Sequence, residues 1–221
     1  MEILLYILGF VIVIYAQVKI NQTYQQTSKE RNETGISGVE VARKILDENG
    51  LEDIYVVQVS GTLTDHYDPS RSVIRLSKKV FEDDSIASLA VAAHECGHAI
   101  QKKEHYLFYQ IRTFLVPVVN LVSFLGYFVL IISAFAGMMS YFLLGMMMLF
   151  ATLTFQLVTL PVELDASKRA MKEIERLHLA SKEELNSVKR MLQAAAMTYV
   201  ASLVSTILNL IRLYFMAQDR N

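Results

Sequence analysis

The chain has 221 residues, of which 53% are hydrophobic and 19% are charged. This composition excludes an intrinsically disordered protein, a coiled coil and a repeat array. The charged residues are unevenly spread, because three long stretches contain none. These stretches hold 16, 50 and 21 residues and lie between Glu2 and Lys19, between Arg112 and Glu163, and between Arg190 and Arg212. Since a helix needs about 20 apolar residues to cross a bilayer, the pattern predicts a protein embedded in lipid.

Four transmembrane helices are predicted, over residues 3–18, 113–135, 139–160 and 191–211. The 50-residue stretch is too long for one crossing, so it is divided by a turn at Ala136, Gly137 and Met138, where glycine can adopt left-handed backbone angles. The first segment could instead be a signal peptide, but it lacks a basic start and a clear cleavage site. The fourth could instead be a buried amphipathic helix, because it contains several Ser, Thr and Asn residues.

The positions of Lys and Arg predict the orientation in the membrane. Nearly all of them adjoin the helices on the side of residues 21–106 and 161–190, whereas the other side has only Arg212 and Arg220. Both polar segments are therefore predicted to face the cytoplasm of a multi-pass cell-membrane protein. The expected division is an N-terminal anchor at 1–20, a catalytic segment at 21–106, a membrane hairpin at 107–160, a cytoplasmic segment at 161–190, and a last helix and tail at 191–221.

Charge and cysteine content exclude several classes of partner and function. Residues 21–106 have a net charge of −4 and residues 161–190 of +1, so neither segment suits a nucleic acid. The predicted spans contain no Asp, Glu, Lys, Arg or His residue, which argues against a transporter. The single cysteine, Cys96, cannot form an intrachain disulfide and is expected to be a small core side chain.

The first polar segment is predicted to fold in the order helix, strand, strand, helix. The first helix covers Gly35 to Gly50, with Ser37 as N-cap and Glu40 at the spacing of a capping box. The predicted strands are 54–60 and 72–77, with a turn over 64–70 between them. The last helix runs from Ser85 to about Glu104 and is capped by Asp83 or Asp84.

A metal-binding motif lies on that last helix, in the run His94-Glu95-Cys96-Gly97-His98. Histidines at positions i and i+4 lie one turn apart on the same face, so both imidazoles can reach one ion. Glu95 is turned by about 100° and can hold a water molecule beside that ion. This is the HExxH pattern of zinc sites, and it predicts a Zn²⁺ cofactor.

The motif supplies two ligands, so a third must come from elsewhere in the chain. A metzincin would have glycine at 101 and histidine at 104, where this chain has Gln101 and Glu104. An intramembrane protease would place the motif inside a crossing helix, but charged residues flank this one closely. The remaining donors follow the third predicted span, which returns to the same side of the membrane. Glu163 is the expected ligand, with Asp165 as the alternative.

The sequence resembles bacterial integral-membrane zinc metallopeptidases of the YugP type. The resemblance is carried by Gly61-Thr-Leu-Thr-Asp-His-Tyr-Asp-Pro69, Ile74-Arg-Leu-Ser77, His94-Glu-Cys-Gly-His-Ala-Ile-Gln101, Val162-Glu-Leu-Asp-Ala-Ser167 and Ala194-Ala-Ala-Met-Thr-Tyr-Val-Ala201. A more distant similarity is to the HtpX and CAAX-prenyl endopeptidases, in which a membrane hairpin separates HExxH from an ExxAD motif. Glu163 and Ala166 fit that motif, while Ser167 replaces its aspartate. The resemblance implies Glu163 as the third ligand.

The expected fold is mostly α with a small β element, in which four transmembrane helices carry a compact α+β, zincin-like domain. The expected function is an endopeptidase, with Glu95 as general base and His66 and Tyr67 as candidates to stabilise the oxyanion. The free edge of the strand ending at Ser77 is expected to pair with an extended substrate. Substrates would be peptides or proteins, with membrane-associated and misfolded proteins as candidates, and the lipid bilayer is the other partner. A membrane scaffold or adaptor with a structural or inactive zinc site is the alternative function.

Overall fold

The computed structural model describes residues 2–137 and 139–218. Met138, in the predicted turn, and Arg220, used to predict orientation, lie outside the described residues. The described part forms seven helices and three strands. In chain order they are α1 Glu2–Thr27, α2 Gly38–Glu48, β1 Tyr55–Val59, β2 His66–Asp68, β3 Val73–Ser77, α3 Lys78–Glu82, α4 Ile86–Lys103, α5 Leu107–Ala136, α6 Met139–Arg176 and α7 Glu184–Gln218.

Four of the described helices, α1, α5, α6 and α7, are long and apolar enough to cross a membrane. This number agrees with the sequence prediction, although each helix extends beyond its predicted span into polar residues. Gly137, between α5 and α6, has a φ of +68°, as expected for a glycine in a tight turn. The predicted fold class, mostly α with a small β element, is confirmed.

The described chain divides into two compact units. The membrane unit contains residues 2–18, 107–161 and 197–218, and the polar unit contains residues 19–106 and 162–196. Helices α1, α6 and α7 each contribute residues to both units. The residues of the predicted metal site all belong to the polar unit.

The three strands of the polar unit form one sheet in the order β1-β3-β2. The central strand β3 pairs in parallel with β1 and antiparallel with β2. The predicted free edge of the strand ending at Ser77 is therefore wrong, because β3 is paired on both sides. The error arose at residues 64–70, which were predicted as a turn. Asp68 does begin a turn, since its carboxylate accepts a hydrogen bond from the Ser70 N–H at 3.0 Å, but the three residues up to Asp68 form strand β2.

The helices of the polar unit build the frame of the site. At the start of α2, Glu40 accepts a hydrogen bond from the Ser37 N–H at 2.7 Å, as the predicted capping box requires. The predicted caps of α4 are wrong, because Asp83 ends the short helix α3. Ser85 is the N-cap instead, and its hydroxyl accepts a hydrogen bond from the Ser88 N–H at 3.2 Å. Helix α4 is buried over most of its length against α2 and the sheet, which holds its motif residues in place.

Candidate metal centre

The two histidines of the motif lie on one face of α4. The ring centroids of His94 and His98 are 4.8 Å apart, and the ring planes are nearly perpendicular, at 82°. This is the one-turn separation that the i, i+4 spacing predicts. Because α4 is packed into the core on its other faces, both rings are presented from a rigid element.

Glu163 brings the carboxylate to these rings from α6. Its side chain is only 2% exposed, and its Oε2 atom lies 3.2 Å from His94 Nε2 and 3.6 Å from His98 Nε2. The ligand atoms of the three residues all lie within 4.8 Å of one another. The helices come this close at Gly97, where an added Cβ atom would lie 2.5 Å from the carbonyl oxygen of Ala166. Glycine at this position is therefore a steric requirement of the site.

The donor set fits a zinc ion. Zinc bonds to imidazole nitrogen and carboxylate oxygen at about 2.0–2.2 Å, which places the ligand atoms of a tetrahedral site about 3.3–3.5 Å apart. The two distances to Glu163 Oε2 are close to this range before any adjustment. Two imidazoles and one carboxylate leave a fourth position, as catalytic zinc sites require.

Each histidine has a hydrogen-bonding partner on the nitrogen that faces away from Glu163. His98 Nδ1 lies 3.0 Å from Gln101 Oε1, and His94 Nδ1 lies 3.3 Å from Ser167 Oγ. Such partners orient metal-binding imidazoles. Ser167 therefore contacts His94 from the position where the related ExxAD motif has aspartate. Asp165, the alternative ligand, instead accepts hydrogen bonds from Arg169 Nε at 2.5 Å and Gln101 Nε2 at 2.8 Å.

Glu95 is buried beside the histidines and is held by the edge strand of the sheet. Its Oε2 atom accepts a hydrogen bond from the Tyr67 N–H at 2.8 Å. Burial raises the pKa of Glu95 to about 7; His94 opposes the rise, and the nearby carboxylates of Glu163 and Asp65 add to it. The carboxyl group is thereby brought into the range in which it exchanges protons near neutral pH.

His66 and Tyr67 both lie on strand β2. Of the two, Tyr67 is the residue in contact with Glu95. Tyr67 reaches the site through its backbone N–H, while its buried ring lies under the Lys102 ammonium group at 5.9 Å from the centroid. His66 is exposed, and its Nδ1 atom donates a hydrogen bond to the Thr64 carbonyl oxygen at 2.8 Å. The predicted oxyanion role of these two residues stays a prediction.

Two residues near the site were not predicted to belong to it. Gln101 was given no role in the predicted site, although it lies one turn after His98 on the same helix. Asp65 ties the start of β2 to the end of β3, because it accepts hydrogen bonds from the Ser77 N–H at 2.6 Å and the Ser77 hydroxyl at 3.2 Å. Burial raises the pKa of Asp65.

Cys96 is fully buried in the core, as predicted, and burial raises the pKa of its thiol well above the usual value.

Comparison with known proteins agrees with this geometry. The family described as "Putative neutral zinc metallopeptidase" matches residues 2–218. The "Putative membrane protease YugP" of Bacillus subtilis (strain 168) is 40% identical over 210 residues, which cover 94% of this chain and 93% of the relative. No solved structure gives a significant match.

The family match and the three gathered ligand atoms together identify zinc as the cofactor. The relative and the four apolar helices show a multi-pass membrane protein. The resemblance to the YugP type, first inferred from short motifs, is confirmed over nearly the whole chain. The chain therefore belongs to the family described as "Putative neutral zinc metallopeptidase".

Proposed function

We propose that the protein is a membrane-embedded zinc-dependent endopeptidase whose active site faces the cytoplasm. The observation that carries the proposal is the meeting of His94, His98 and Glu163 beside the buried carboxyl group of Glu95. In this proposal residues 21–106 and 161–190 supply the catalytic part of the chain. His94, His98 and Glu163 hold the zinc ion, and Asp165 is left to its contacts with Arg169 and Gln101.

The metal would supply Lewis-acid chemistry: zinc polarises a carbonyl group and makes a water molecule more acidic. Glu95 acts as the general base that removes a proton from the attacking water and passes it to the leaving amine. The Tyr67 N–H holds Glu95 Oε2, which leaves Oε1 as the atom assigned to proton transfer. The Tyr67 backbone thus orients the base.

The group that stabilises negative charge on the carbonyl oxygen is proposed to be His66 or the Tyr67 side chain. Burial raises the pKa of Tyr67, with a smaller contribution from Asp68, so its hydroxyl keeps the proton that a donor needs. Both residues precede the turn at Asp68 on the edge strand of the sheet. The proposed substrates are peptide segments of membrane-associated or misfolded proteins.

The Glu95→Gln variant tests the proposed activity. Glutamine keeps the size of the side chain but cannot accept the proton, so we expect cleavage of unfolded or membrane-protein substrates to fall by about 10²–10⁴-fold. Zinc content should stay at the wild-type level, because Glu95 is not a ligand. The measurements are metal analysis and a cleavage assay on purified protein in detergent, with Glu52→Gln in an exposed loop as the matched control.

The same experiment separates the two functions considered from the sequence. Unchanged cleavage by Glu95→Gln would overturn the protease assignment. A scaffold or adaptor with an inactive zinc site would bind zinc and show no cleavage above that of the Glu95→Gln variant.

Labelling with a membrane-impermeant maleimide tests the proposed orientation. The native Cys96 is buried, so the background should be low. We expect Ala136→Cys, at the end of α5, to be labelled in intact cells, and Lys182→Cys, in an exposed part of the polar unit, to be labelled only after permeabilisation. The reverse pattern would place the polar unit outside the cytoplasm.

A further inference from the structure

Gln101 is a completely buried polar residue on α4, one turn after His98. A buried amide needs partners for both its donor and its acceptor, because an unsatisfied polar group inside a protein is costly. Its three hydrogen bonds go to different parts of the site, which gives it a specific place between the two helices that carry the metal ligands.

The amide group of Gln101 has only one orientation that satisfies its partners. Its nitrogen lies 2.8 Å from the Val162 carbonyl oxygen and 2.8 Å from Asp165 Oδ2. A carbonyl oxygen and a carboxylate can only accept, so the NH₂ group must face them and use both of its hydrogens. The amide oxygen Oε1 is then the atom that faces His98.

This orientation determines the tautomer of His98. Since Gln101 Oε1 can only accept, the His98 nitrogen 3.0 Å away, Nδ1, must carry a hydrogen. In neutral imidazole the other nitrogen, Nε2, then has the free electron pair. Nε2 is the atom that lies 3.6 Å from Glu163 Oε2, on the side where the ligand atoms gather.

The network continues from Gln101 to the surface of the polar unit. Asp165 also accepts a hydrogen bond from Arg169 Nε at 2.5 Å, and Arg169 Nη1 donates to Glu104 at the C-cap of α4. Gln101 and Glu104 therefore connect α4 and its C-cap to α6 by three hydrogen bonds, next to the metal site. The two helices are separated in sequence by the hairpin 107–160, so this connection sets the position of Glu163 relative to His98.

We propose that Gln101 is a positioning residue that selects the zinc-binding tautomer of His98 and fixes Glu163 on α6 against it. The inference rests on the proposed function in one respect, the use of His98 and Glu163 as zinc ligands. It adds that the tautomer and the distance between the two ligands are imposed by one buried amide.

Substitution of Gln101 by leucine tests this role. Leucine nearly preserves the volume but makes no hydrogen bond, so His98 loses the acceptor on Nδ1 and α6 loses its tie through Val162. We expect zinc affinity to fall by about 10–100-fold, which is typical for loss of a partner of a metal-binding histidine. Affinity is measured by titrating metal-free protein with Zn²⁺ against a chromophoric chelator, and Gln58→Leu on the exposed part of β1 is the matched control.

A second arm distinguishes positioning from a merely structural role. Gln101→Glu keeps an acceptor for His98 but sets its second oxygen against the Val162 carbonyl oxygen and Asp165 Oδ2, which can only accept, so we expect zinc affinity to fall. The Co²⁺ absorption spectrum should report a tetrahedral site in the wild type and in Gln58→Leu, and a changed site in Gln101→Leu and Gln101→Glu.

The possible failures can be told apart. If Gln101→Leu is folded at the assay temperature and binds zinc as tightly as Gln58→Leu, the positioning role is overturned while the proposed activity stands. If Gln101→Glu binds zinc as tightly as the wild type, the hydrogen bonds from Gln101 to α6 have no effect and the proposal also fails. If the wild type binds no zinc, or if Glu95→Gln cleaves normally, it is the proposed function that fails.

Discussion

The two histidines of the metal centre are supported in different ways. His98 is 10% exposed, and its partner Gln101 is completely buried and has its own two hydrogen bonds to α6. His94 is 15% exposed, and its partner is the Ser167 hydroxyl, 3.3 Å away. A hydroxyl can rotate and can donate or accept, whereas the amide of Gln101 cannot change its role without losing two bonds.

The two histidines of this site are therefore held with different rigidity. On the His98 side, the tautomer and the distance between α4 and α6 are determined by buried bonds. On the His94 side, the ring is more exposed and its partner is adaptable. We expect loss of the His98 partner to weaken zinc binding more than loss of the His94 partner. Variants that act on both histidines, or on one of them, test this difference.

The largest effect is expected from Gly97→Ala, because it disturbs the surroundings of both His94 and His98. The new Cβ atom would lie 2.5 Å from the Ala166 carbonyl oxygen, so α6 must shift away from α4 and carry Glu163 and Ser167 with it. We expect a loss of stability of about 1–3 kcal/mol and a fall in zinc affinity larger than that of Gln101→Leu. Thermal unfolding in detergent and the chelator titration measure the two effects.

The matched control is Gly9→Ala on α1. There the nearest atom to the added Cβ is the Ser205 hydroxyl oxygen at 3.0 Å, which belongs to a side chain that can rotate. We expect a smaller loss of stability and unchanged zinc affinity. Wild-type zinc affinity in Gly97→Ala would show that the close approach of α4 and α6 is not needed for the metal site.

The parts of the site that could be predicted from the sequence are those set by local geometry. Helical periodicity alone places His94 and His98 on one face, and the long uncharged stretch shows why the residues near Glu163 return to the same side as the motif. The capping box at Ser37 and the left-handed turn at Gly137 are likewise encoded by a few neighbouring residues.

The parts that could not be predicted depend on pairing between distant segments. Strand β2 has only three residues, too few for an alternating pattern, so nothing local showed that it would cover β3. The partners of Gln101 on α6 lie 61 and 64 residues away. The way α6 packs against α4 cannot be predicted from the local sequence of either helix. The N-cap of α4 was misplaced by one or two residues because Asp83, Asp84 and Ser85 are all good caps, and only the end of α3 decides among them.

The smallest effect is expected from Ser167→Ala, which acts on the His94 side alone. It removes one hydroxyl at 3.3 Å from His94 Nδ1 and leaves the contacts of Gln101 in place. Because His94 is more exposed than His98, water can take the place of the hydroxyl. We therefore expect zinc affinity to fall by less than about 10-fold, which is below the range typical of a fixed partner. The chelator titration measures this, with Ser60→Ala at an exposed position as the control. A loss equal to that of Gln101→Leu would show that the two histidines are held equally firmly and would contradict this difference.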